Sequence, residues 1–63
     1  MRKPYIIYRM PPERGYVVVQ IYAETPEGKE QGKADYLREF LVYEARVDHE
    51  TATTATIKRR PYQ

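Results

Sequence analysis

Residues 15–24 read Gly-Tyr-Val-Val-Val-Gln-Ile-Tyr-Ala-Glu, and no other stretch constrains the fold of this chain as much. Three valines in succession, then an isoleucine and a tyrosine, fit a pleated, half-buried surface. Read as a strand over 16–24, the run places Val17, Val19, Ile21 and Ala23 on one side. Tyr16, Val18, Gln20, Tyr22 and Glu24 fall on the other. The first set is wholly apolar and is the expected core face; the second faces solvent or a ligand.

The remainder of the chain must cover that face with little material. At 63 residues it makes one small domain over 1–63, and a chain of that size buries only about 60% of the surface it exposes when unfolded. Small domains are commonly stapled by disulfides, a metal or a partner subunit. Cysteine is absent, so disulfides and thiolate metal sites are excluded, and with His49 the single histidine a His-based zinc site within one chain is not expected. Packing of the aromatics, or a homodimer, remains. The sequence also lacks Asn, Ser and Trp, and charged residues reach 32%. Few thermolabile residues with many charges is a thermophile-like composition. No signal peptide or transmembrane segment is evident, which leaves a cytoplasmic location as the default.

Upstream of the central strand, residues 4–10 read as a first strand on Tyr5, Ile6, Ile7 and Tyr8. Its inward face is left open: either Ile6, Tyr8 and Met10, or Tyr5 and Ile7. Pro11-Pro12-Glu13-Arg14-Gly15 ends the strand and suits a five-residue hairpin loop. Downstream, Thr25-Pro26-Glu27-Gly28-Lys29 reads as a turn, and Glu30-Gln31-Gly32-Lys33 as a polar connector. Residues 34–47 then carry Tyr36, Leu37, Phe40, Leu41, Tyr43 and Val47 at helical spacing, which predicts an amphipathic helix. Asp48-His49-Glu50 is its exit. Residues 52–60 form a last strand with Thr53, Ala55 and Ile57 inward and Thr54, Thr56, Lys58 and Arg60 outward, ended by Pro61.

The expected architecture is therefore α+β: a small antiparallel β-sheet, β-β-α-β, with one amphipathic helix packed on one face. The alternative is an all-β four-stranded meander in which 34–48 is a long strand. Arg14–Gln31 with Ala34–Val47 resembles the strand–turn–strand–helix arm-binding module of tyrosine recombinases. The likeness lies in the Tyr-Val-Val-Val-Gln-Ile-Tyr strand and the Pro-Glu-Gly-Lys turn. A proper third strand between turn and helix is missing, so no residue role is carried over.

Catalytic chemistry has little foothold. The common nucleophiles Ser and Cys are absent. Asp48-His49-Glu50 is the one acid/base-like cluster, but adjacent residues do not converge on one point. The chain is expected to be no enzyme and to need no cofactor. Net charge is only +2, yet Arg2, Lys3 and Arg9 occur near one end and Lys58, Arg59 and Arg60 near the other, with no acid among residues 1–12 or 51–63. Brought together, these would attract a polyanion. On an open sheet face, Tyr16 and Tyr22, joined by Tyr5 and Arg9 in one register of the first strand, would stack on unpaired bases while the cations held phosphate. The expected partner is a nucleic acid. The alternative is a small protein-interaction factor, an inhibitor or adaptor of the kind viruses encode, acting through exposed tyrosines or a sheet edge.

Overall fold

A computed structural model of the chain describes residues 3–39 and 44–61. Four strands and one helix follow in the order β1 (Tyr5–Glu13), β2 (Tyr16–Ala23), α1 (Pro26–Glu39), β3 (Arg46–Glu50) and β4 (Thr54–Arg59). The strands form one antiparallel sheet in the order β1-β2-β4-β3, and α1 packs on one face. The α+β class with a single covering helix is as expected. The element set is β-β-α-β-β, one strand richer than the sequence reading.

β1 does not stop at Pro11. It runs on to Glu13 with an irregularity between Met10 and Glu13, and pairs Glu13 with Tyr16. Prolines are tolerated there because β1 is an edge strand, where a missing N–H interrupts no ladder. The hairpin is correspondingly tight. Arg14 (φ 49°) and Gly15 (φ 84°) both occupy the left-handed region, the requirement of a two-residue turn whose twist matches its strands.

The helix lies well N-terminal of the expected 34–47. Thr25 is its N-cap: the Thr25 hydroxyl accepts from the Gly28 N–H at 3.0 Å, and its carbonyl accepts from the Lys29 N–H at 3.1 Å. Pro26 occupies the first helical position, where its fixed φ helps and its absent N–H costs nothing, and Glu27 adds an acid to the first turn. The segment read as a turn and connector is thus the first half of the helix, and no further strand lies between β2 and α1, where a recombinase-like arm module would have one. The expected helical residues Phe40, Leu41, Val42 and Tyr43 lie outside the described residues. Arg46–Glu50, placed at the end of the helix by the sequence reading, is strand β3.

The core lies between α1 and the sheet. Val19, Ile21, Ala55 and Ile57 from the sheet meet Tyr5 and Tyr36, with Ala23, Leu37 and Ala45 partly buried around them. Ile21 and Ile57 are fully buried. The inward set on β2 is the predicted one for Val19, Ile21 and Ala23; Val17 is half-buried, and Val18, on the opposite face, is also buried. The buried face of α1 is formed by Gly28, Lys29, Gly32 and Tyr36. A Cβ on Gly32 would stand 2.7 Å from Ile21 Cγ2 and 3.0 Å from Tyr5 Cγ, so the helix backbone rests directly on the sheet there. Buried Lys29 reaches the Glu50 carboxylate at 2.6 Å and donates to the Thr51 carbonyl at 2.9 Å; Lys33 meets the same carboxylate at 2.6 Å. Charge therefore ties α1 to β3 where apolar surface is scarce. No helix of the described residues is long and apolar enough to cross a membrane.

Candidate nucleic-acid interface on the open sheet face

Strand register decides which side chains share the uncovered face, because directly opposite residues of paired strands point the same way. Ile6 lies opposite Tyr22, and Tyr22 opposite Thr54. Tyr8, Gln20, Thr56 and His49 form a second row, and Met10, Val18, Lys58 and Arg46 a third. Thr54, Thr56 and Lys58 face outward as expected from the sequence. All these residues belong to the face that α1 leaves open.

Two aromatic groupings stand on it. Toward the β1 edge, the Tyr8 and Tyr22 rings meet edge to face, with centroids 5.3 Å apart and planes at 83°. This is the diagonal cross-strand contact that aromatic side chains favour. Both remain open to solvent, Tyr8 at 49% and Tyr22 at 42%. Tyr22 is shared by two hollows. One is lined by Lys3, Pro4, Tyr5, Ile6, Ala23 and Glu24, the other by Tyr8, Arg9 and Met10. Farther along the face, the Arg46 and Arg60 guanidinium groups lie over the Tyr16 ring at 5.5 Å and 5.2 Å from its centroid. Neither arginine forms an ion pair with a carboxylate among the described residues.

The structure divides the nine residues singled out from the sequence. Tyr16, Tyr22 and Lys58 are on the open face, and Arg60 reaches it through the Tyr16 ring. Lys58 is already engaged: its ammonium binds Glu13 at 2.7 Å and Asp48 at 3.3 Å. The hydrogen bond to Glu13, more than that to Asp48, raises its pKa above the ordinary lysine value. Tyr5 does not stand on the open face. It is buried beneath α1, where its hydroxyl donates to Asp35 at 2.5 Å. That bond, with burial, raises the Tyr5 pKa, and the same hydrogen bond lowers that of Asp35. Lys3 lies over the Tyr5 ring at 5.7 Å and borders one of the hollows. Arg9 lies opposite Val19, so its side chain leaves β1 on the helix side, where it is exposed. Arg59 is buried on that side too, donating from Nε to the Tyr36 hydroxyl at 2.8 Å and from a guanidinium nitrogen to the Arg60 carbonyl at 3.1 Å. Arg2 lies outside the described residues.

Tyr8 and Arg46 were missed. Tyr8 follows from strand alternation once Tyr5 is known to face inward, but the unbroken run Tyr-Ile-Ile-Tyr hides that choice. Arg46 falls within the helix that the sequence predicts over 34–47 and reaches the face only because β3 is a strand. The Asp48-His49-Glu50 cluster disperses: Asp48 pairs with Lys58, Glu50 with the helix lysines, and His49 lies opposite Thr56. Among the described residues no group of three or more His, Asp or Glu could hold a metal ion. No protein-family model matches this chain, and comparison with curated proteins and with solved structures gives no significant match in either.

Proposed function

We propose that this chain is a non-enzymatic binding module that takes single-stranded nucleic acid on its open sheet face. The observation that carries the reading is Tyr22: an exposed ring, steadied by Tyr8, with a hollow on each side of it. Bases enter such hollows and stack, each stacked base contributing about 1–3 kcal/mol whatever its identity. Arg46 and Arg60 at Tyr16, with Lys3 beside the first hollow, supply cations for the intervening phosphates. The reading differs from the sequence expectation in its residues. Tyr8, Tyr16 and Tyr22 stack; Lys3, Arg46 and Arg60 hold phosphate; Tyr5 and Arg59 support the fold.

Fluorescence anisotropy with labelled single-stranded and duplex oligonucleotides tests it. Saturable, salt-sensitive binding of the single strand is expected. Tyr22→Ala should weaken it by about 5- to 150-fold, following the stacking range. Arg46→Ala with Arg60→Ala should flatten the dependence of affinity on salt, by about 0.7 in the logarithmic slope for each phosphate that is no longer neutralised. Absence of binding at low salt, where the electrostatic attraction is largest, would overturn the proposal.

A further inference from the structure

The two edges of the sheet differ. β3 is short and irregular between Val47 and His49, and it carries Arg46, Asp48 and Glu50, the devices by which proteins keep an edge from pairing. β1 is regular over Tyr5–Met10 and carries a single charge there, Arg9. Pro4 and Pro11 delimit a window containing Ile6, Ile7 and Tyr8, which are 57%, 37% and 49% exposed.

The hydrogen-bond phase of that window is fixed by one contact. The Ala23 N–H donates to the Thr53 carbonyl, toward β4, at 3.0 Å. In an antiparallel sheet successive residues bond to alternate sides. Odd-numbered residues of β2 therefore bond to β4, and Tyr22, Gln20 and Val18 bond to Ile6, Tyr8 and Met10 of β1. The N–H and C=O groups of Tyr5, Ile7 and Arg9 consequently point outward from the sheet.

We propose that this edge pairs with the same edge of a second copy of the chain, antiparallel, with Ile7 on the two-fold axis. That register alone centres every outward-pointing residue on another. Ile7 meets Ile7, and Tyr5 meets Arg9 in both directions, each pair exchanging two main-chain bonds. Neighbouring registers forfeit bonds to Pro11, which has no N–H, or leave Arg9 outside the window. The side chains agree with it. Arg9 makes no ion pair among the described residues of its own chain, and it shares the helix side with Tyr5, whose hydroxyl is held by Asp35. Paired Cα atoms stand about 5.5 Å apart, which lays the Arg9 guanidinium of the second copy along Tyr5 toward that carboxylate. On the opposite face Ile6 meets Tyr8 of the second copy, so the two Tyr8–Tyr22 clusters become continuous. The proposal rests on the main-chain geometry of β1 and not on nucleic-acid binding, although the second copy meets Ile6 and Tyr8, which border the two hollows.

Sedimentation equilibrium from micromolar to millimolar protein gives the first measurement. The expected result is a reversible species of twice the 7.5 kDa chain mass. Ile7→Lys sets two like charges against each other on the axis while sparing every bond to β2, and should weaken association at least ten-fold. Amide exchange of the wild-type chain provides a readout without substitution. Ile6, Tyr8 and Met10 should be protected at all concentrations, and Ile7 and Arg9 only as the concentration rises. A monomer throughout the range would overturn the proposal, as would a dimer whose Ile7 and Arg9 amides exchange freely. If Ile7→Lys unfolds, the exchange pattern decides.

Discussion

Gly32 shows how much one hydrogen atom decides in this molecule. Glycine inside a helix costs about 1 kcal/mol relative to alanine, so Gly32→Ala would be stabilising if the helix stood clear of the sheet. It does not: the added methyl would meet Ile21 Cγ2 at 2.7 Å and the root of the Tyr5 ring at 3.0 Å. Both neighbours are buried, and neither contact is the end of a flexible chain. Overpacking of this kind costs about 1–3 kcal/mol and should outweigh the gain in propensity. Thermal unfolding of Gly32→Ala is expected at a lower temperature than wild type; a higher one would place the helix farther out.

At the scale of elements, legibility depended on where the information was stored. β2 and β4 could be read because burial is written there as alternation: Val19, Ile21, Ala55 and Ile57 are the residues whose pattern predicted it. The helix could not be read that way. Its buried face is Gly28, Lys29, Gly32 and Tyr36, which has almost no apolar periodicity. A stronger periodicity ran through 34–47, and part of it now belongs to β3. The usable signal was Thr25-Pro26-Glu27, an N-cap followed by proline and an acid, obscured because Pro-Glu-Gly-Lys is also a turn sequence. Thr25→Ala should therefore cost about 1 kcal/mol through removal of the cap, measurable in urea unfolding with an unchanged slope. An unaffected Thr25→Ala would mean that the Gly28 N–H finds another acceptor. The candidate interface was legible only in its residue types. Tyr16, Tyr22 and Arg60 were named from sequence, but Tyr5 and Arg59 were drawn into the interior by Asp35 and Tyr36, partners no local pattern announces.

For the whole molecule, Glu50 joins the last two structural layers. Its carboxylate is held down to about 2 from an ordinary value of 4.5, first by the hydrogen bond from Lys29 and then by that from Lys33. A depressed carboxylate contributes stability that is complete above its unfolded value and is lost as pH falls through the folded one. The urea midpoint should accordingly decline between about pH 4.5 and pH 2. Glu50→Gln should lower it at neutral pH and reduce the slope in that window. Asp35, lowered chiefly by the Tyr5 hydroxyl, adds to the same acid limb and should persist in the Glu50→Gln variant. An unchanged acid limb in Glu50→Gln would show that the helix docks without the ion pair.

The strand order β1-β2-β4-β3 also bears on how quickly the chain reaches this state. β1 with β2, and β3 with β4, are sequence neighbours joined by short turns, and such hairpins form in about 1–10 μs. The central ladder, Val19 with Ile57 and Ile21 with Ala55, joins them only after the whole of α1 has been traversed. Closing that long loop precedes any reward from burying Ile21 and Ile57, so the docking of the two halves is the step expected to limit the folding rate. Substitutions on the β2–β4 ladder should then slow folding, whereas those at the Arg14–Gly15 turn should act earlier, on how often one half is ready to meet the other.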